Sequence, residues 1–168
     1  MGVQATAQKT EVEAFVTRLL ALDDPQERKK LVEQNPAVEW DEVIRLPTER
    51  VWQEVRINTQ QAERMADAAV EVAEARGNPV SIGKSIRAKA NALYALDRHV
   101  AAIEFHERAI VFFDQAGDQV ELARTLSGSI QPLLLLGRYD QALAAGERAR
   151  AIFQQQGNTH RLARLEIN

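Results

Sequence analysis

Apolar residues recur three and four positions apart over most of the chain, a spacing that places them on one stripe of an α-helix. Leu93, Leu96, Ile103, Ile110 and Phe113 follow that period and are expected to form a shared core. The pattern predicts helices over 80–96, 99–116, 119–136 and 139–156, and a last helix from 159 that stops at Asn168. Pro132 falls inside the third of these, where a missing amide hydrogen should kink the helix and do no more. Residues 48–76 read as one long amphipathic helix, capped by Thr48 and packed on the first repeat through Met65, Ala69, Val72 and Ala73. Ahead of it, Glu11–Leu22 reads as a helix, followed by Asp23-Asp24-Pro25, a cap with proline at the first helical position. Gln26–Gln34 reads as a second helix ended at Asn35-Pro36, and Val38–Leu46 as a third ended at Pro47. Residues 1–10 are expected to be mobile. The expected division is a helical cap over 1–47 and a repeat array over 48–168.

The array repeats at a spacing of forty. Leu96, Arg98, Ala102, Glu107, Arg108, Ala109, Phe113, Gln115 and Gly117 return as Leu136, Arg138, Ala142, Glu147, Arg148, Ala149, Phe153, Gln155 and Gly157. Gly77, Gly117 and Gly157 each follow a long helical stretch, where a left-handed residue ends a helix. Asn78, Asp118 and Asn158 come next and are placed to cap the following helix. The alanines are small where two helices must approach closely. The unit is helix, short turn, helix, longer turn, with full hairpins over 80–116 and 119–156 and a truncated one over 159–168. One hairpin cannot bury its apolar face alone, so the hairpins should stack. The fold class expected is all-α: antiparallel helix-hairpin repeats in an α-solenoid with a non-repeating helical N-terminal cap.

The stretch Leu136-Gly137-Arg138-Tyr139-Asp140-Gln141-Ala142-Leu143, with Ala149 downstream, resembles the tetratricopeptide (TPR) consensus. The resemblance covers about residues 80–168. The chain departs from that consensus in its forty-residue spacing, in Ser129 and Ile130, and in Asp97 and His99 where the turn glycine and tyrosine usually stand. Pro25-Gln26-Glu27-Arg28 and Asn35-Pro36 ahead of forty-residue repeats are similar to bacterial TPR regions, some of which precede a caspase-like (CHAT) peptidase domain. That resemblance implies a scaffold or sensing role, and no catalytic residue carries over.

Composition narrows the chemistry. The chain has 168 residues and a formal net charge of −3, without cysteine. Disulfides, thiolate metal sites and thiol nucleophiles are therefore excluded. No signal peptide and no membrane-spanning run is visible, and a cytoplasmic location is expected. Mild acidity and few aromatics make nucleic acid an unfavoured partner. His99, His106 and His160 have no metal-site spacing. Gly83-Lys84-Ser85 matches the end of a phosphate-binding loop but has neither the upstream glycine nor the preceding strand. No enzyme activity and no cofactor are expected. Trp40 and Trp52 read as core or staple residues, with a partner hot spot as the alternative.

In TPR arrays the first helix of each hairpin lines a concave groove, and the resemblance carries that role onto matching positions. These are Lys84, Arg87, Asn91, Tyr94 and Ala95 in the first repeat and Arg124, Ser127, Gln131, Leu134 and Leu135 in the second. Arginines there could hold a peptide's carboxylates while Tyr94 anchors a side chain. The expected function is a protein–protein interaction module that binds a peptide or partner domain. The alternative is a regulatory segment of a larger bacterial enzyme such as a CHAT-type peptidase. Arg161-Leu162-Ala163-Arg164-Leu165 begins an ordinary repeat rather than a polar capping helix. The natural chain is therefore expected to continue, or to self-associate through an uncapped C-terminal end.

Overall fold

A computed structural model describes residues 2–35, 38 and 40–167. Among the described residues the chain forms nine helices and no strand. They are α1 (Gly2–Leu20), α2 (Pro25–Glu33), α3 (Trp40–Glu54), α4 (Thr59–Arg76), α5 (Pro79–Ala95), α6 (His99–Ala116), α7 (Gln119–Leu135), α8 (Tyr139–Gln155) and α9 (Thr159–Ile167). The helices expected from Val80 onward lie where the hydrophobic period puts them, within a residue at each end that is described.

The forty-residue register reaches further back than the sequence marks suggested. Helices α4, α6 and α8 begin at Thr59, His99 and Tyr139, and α5, α7 and α9 at Pro79, Gln119 and Thr159. So α3 and α4 are themselves a hairpin in step with the others, and the single helix expected over 48–76 is two helices. Asn58 makes the break: its side chain accepts a hydrogen bond from the Gln61 amide at 3.0 Å and opens α4. The expected stop at Pro47 is also absent, because α3 runs through it at the cost of one helical hydrogen bond. Thr48 does not cap; its hydroxyl donates back to the Ile44 carbonyl at 2.7 Å, a bond made inside a helix. The expected boundary between 47 and 48 therefore falls within α3. At the N-terminus α1 extends back to Gly2 and takes in the polar stretch expected to be mobile. Expectations placed on Pro36, Asn168 and the side chain of Trp52 lie outside the described residues.

Consecutive helices pack on one another from α3 to α9, and α3, α5 and α7 also touch in an inner row. Ala102, Ala109, Ala142 and Ala149 are buried, as close helix approach requires. Leu93, Ile103 and Phe113 are fully interior, while Leu96 and Ile110 are only partly covered. Met65, Ala69, Val72 and Ala73 are buried on α4. Phe113 lies so close to Gly83 that a β-carbon there would stand 2.8 Å from its ring. Helices α1 and α2 cover the α3–α4 hairpin. Trp40 is buried and packs edge-on to Phe15 at 5.6 Å, with Arg76 over its face at 5.2 Å. Arg28 locks α2 to α4 through a two-pronged bond to Glu71, at 2.6 and 2.9 Å, and donates to the Leu22 carbonyl. Its place in the Pro-Gln-Glu-Arg run is thus structural.

Candidate ligand groove

The first helices of the hairpins place their polar side chains in two adjoining clefts. Arg87, Asn91, Tyr94, Arg124, Ser127 and Gln131 all line one of about 320 Å³. Lys84 lines the neighbouring cleft, of about 500 Å³, which shares Arg87, Asn91 and Arg124 with the first. The seven residues expected in a groove are therefore contiguous. Leu135 is exposed, and Leu134 turns instead toward α8. Pro132 leaves the Gly128 carbonyl without a helical donor, and Gly128 lines the same cleft.

The two arginines first singled out have different roles. Arg87 is mostly buried, with its guanidinium 2.5 Å from Glu121 and stacked over Phe113 at 5.4 Å. Glu121 also accepts from Arg124 at 2.5 Å. Burial alone would raise the Glu121 pKa, but Arg87 and then Arg124 outweigh it and hold the carboxyl below the usual carboxylate range. Desolvation pushes the Arg87 pKa down, and Glu121 opposes that. Arg87 therefore bridges α5 to α7 as a strut rather than standing free for a ligand. Arg124 is about one-third exposed and keeps donors that Glu121 does not use.

Two further cations belong to the groove and were not read from the sequence: Arg161 and Arg164 on α9. Neither makes an ion pair among the described residues. Burial lowers the Arg161 pKa, and the nearby Arg124 charge lowers it further. The signal was available: stepping forty residues from Lys84 gives Arg124 and then Arg164. Glu121 was missed because its neighbours in space come from two different helices. The α3 end of the face differs, since Asp41, Glu42 and Glu49 line the larger cleft beside Arg45. The groove thus runs from an acidic end at α3 to a basic end at α9.

Beneath the floor lies His106, fully buried on α6, with neither ring nitrogen hydrogen-bonded. Burial, helped by the Arg87 charge, pushes its pKa down to about 3, so it is neutral at pH 7. A β-carbon on Gly128 would fall 3.0 Å from its Cε1 atom.

No protein-family model and no curated protein matches the chain. Among the described residues no group of acidic, histidine or cysteine side chains is placed to hold a metal, and no helix is long and apolar enough to cross a membrane.

Proposed function

We propose that this chain is a protein-interaction module of tetratricopeptide type, acting in the cytoplasm, that holds an extended acidic segment of a partner protein along its concave face. One observation carries the reading: Lys84, Arg124, Arg161 and Arg164, from three successive inner helices, converge on connected clefts in a chain that is acidic overall. Among the described residues lining those clefts at that end the one carboxylate is Glu121, which Arg87 and Arg124 already engage. Cations gathered against the net charge steer an anionic segment and hold it by charge-assisted hydrogen bonds. Asn91, Ser127 and Gln131 offer amide and hydroxyl partners for an extended backbone, and Tyr94 an aromatic face. The acidic α3 end sets polarity, favouring a segment whose negative charges lie toward α9.

The test is titration of a fluorescein-labelled, Glu/Asp-rich peptide into the chain, beside a variant carrying Tyr94→Ala, Arg161→Glu and Arg164→Glu. Arg87 is left intact, because reversing it would strand Glu121 and unfold the strut. Binding should weaken at least tenfold in the variant and should fall as salt rises. Equal binding by parent and variant overturns the groove assignment. Preferential binding of a single-stranded oligonucleotide overturns the protein-partner reading.

A further inference from the structure

The cationic end of the groove departs from its own repeat at one pair of positions. On α5 and α7, Arg87 and Glu121 form the ion pair that ties the two helices together. Forty residues on, the same two positions hold Ser127 on α7 and Arg161 on α9. The strut's cation has become a hydroxyl, and its carboxylate has become a guanidinium. Glu121 reaches back to α5, and Arg161, in the same place on α9, lines the cleft that Ser127 lines. Lys84, Arg124 and Arg164 meanwhile keep a cation at one matching position on α5, α7 and α9. Arg87, Arg124, Arg161 and Arg164 thus line one cleft of about 320 Å³ with no carboxylate among its described lining residues. Glu121, just outside it, engages Arg87 and one donor of Arg124. Burial lowers the Arg161 pKa, and the Arg124 and Arg164 charges lower it further while Glu121 opposes them. Residues of α5 and α9 bound this cleft on either side of α7, so its opening is not an end of the stack.

We propose that this cleft is a phosphate subsite, and that the acidic partner segment carries a phosphorylated serine or threonine seated among Arg124, Arg161 and Arg164. The proposal rests on the groove reading above and names the group that the groove selects. A carboxylate offers two oxygens and one negative charge. A phosphoryl group offers three terminal oxygens and a charge of about −1.5 to −2. Four arginines against the one carboxylate of Glu121 leave three positive charges, so a dianion relieves more of their repulsion than a carboxylate does. Each guanidinium is a planar fork that fits two oxygens at once, unlike the point charge of a lysine. Asn91, Ser127 and Gln131 lie in the same cleft and add uncharged donors around the anion. Arg164 is exposed and Arg124 about one-third so, which lets the guanidiniums meet the phosphate near the mouth of the cleft. A short serine or threonine stem therefore suffices. A phosphate at the α3 end would instead face Asp41, Glu42 and Glu49. Binding is thereby switched by phosphorylation of the partner.

The probes are three fluorescein-labelled peptides of one Glu/Asp-rich sequence, with serine, glutamate or phosphoserine at the central position. Each is titrated into the full chain at one fixed salt concentration. The phosphoserine peptide should bind about tenfold tighter than the glutamate peptide, or better. Arg161→Gln should remove most of that preference. Arg161→Lys keeps the charge but not the fork, and should weaken the phosphoserine peptide more than the glutamate peptide. Lys84→Gln, in the neighbouring cleft, should weaken all three peptides alike. Equal binding of the phosphoserine and glutamate peptides overturns the phosphate subsite and leaves the groove reading standing. A preference that survives Arg161→Gln overturns the subsite as well. No binding of any peptide overturns both readings. Displacement of the labelled phosphoserine peptide by inorganic phosphate at or below the concentration of unlabelled peptide needed also overturns the proposal, because the cleft would then take the free anion rather than a modified partner.

Discussion

His106 is the most consequential single side chain, for a buried imidazole with two unpartnered nitrogens is destabilising. Its pKa is about 3 in the fold, against an ordinary value near 6.5. The unfolded chain takes up a proton below that value and the folded chain does not, so stability falls as pH drops from about 6.5 toward about 3. The slope approaches about 1.4 kcal/mol per pH unit at its steepest. Denaturant melts of His106→Leu should show a flatter limb between pH 6.5 and 5, and stability at pH 7 equal to the parent's or higher. An unchanged slope would refute the assignment. Gly83 answers to a different constraint. Alanine there would drive its methyl into the Phe113 ring, at 2.8 Å, and should cost about 1–3 kcal/mol in thermal or denaturant unfolding. Neither effect was legible in the sequence. His106 reads as one of three unremarkable histidines, and Gly83 as part of a phosphate-loop fragment, until α6 is laid against α5 and α7.

At the scale of elements, hydrophobic period and glycine punctuation were enough to place α5 through α9. They failed at 48–76 because proline and threonine, strong break signals, sit inside α3, while the true break is marked by Asn58 alone. Asn58→Ala should cost about 1 kcal/mol and fray the start of α4, seen as faster amide exchange at Gln60 and Gln61. The turn between α5 and α6 is the opposite case. Gly137 takes a left-handed φ of 70° between α7 and α8, and Asp97 is forced to 57° at the matching place. Aspartate tolerates that region less well than glycine. Asp97→Gly should therefore leave the fold unchanged and raise the melting temperature by a few degrees, with a gain of up to about 1 kcal/mol.

Across the whole molecule, helix-to-helix contact is with near neighbours, apart from the inner row and the N-terminal cap. Stability in such a stack is shared unevenly. Hydrogen exchange should show slowest opening in α4 to α6, which are covered on both sides, and fastest in α8 and α9. Arg28→Ala should loosen α2 from α4 at a cost of about 1.5–3 kcal/mol without altering peptide binding at the groove. The groove itself was half legible. The residues carried over from a family pattern do meet in space, but which cations are free and which are already engaged depends on Glu121, and that pairing exists only once α5 and α7 lie side by side.

The joints between hairpins are interchangeable parts. Asn78 caps α5 and Asp118 caps α7 by the same side-chain bond to the helix's first amides. Excising residues 79–118 would carry the chain from Asn78 straight into Gln119, and α7 would meet α4 as it now meets α6. Ala66 would then stand opposite Gly128 where His106 stands now, leaving a gap to be filled by one larger residue. Length in this protein is thus a countable quantity, adjustable in whole units of forty without a new kind of junction.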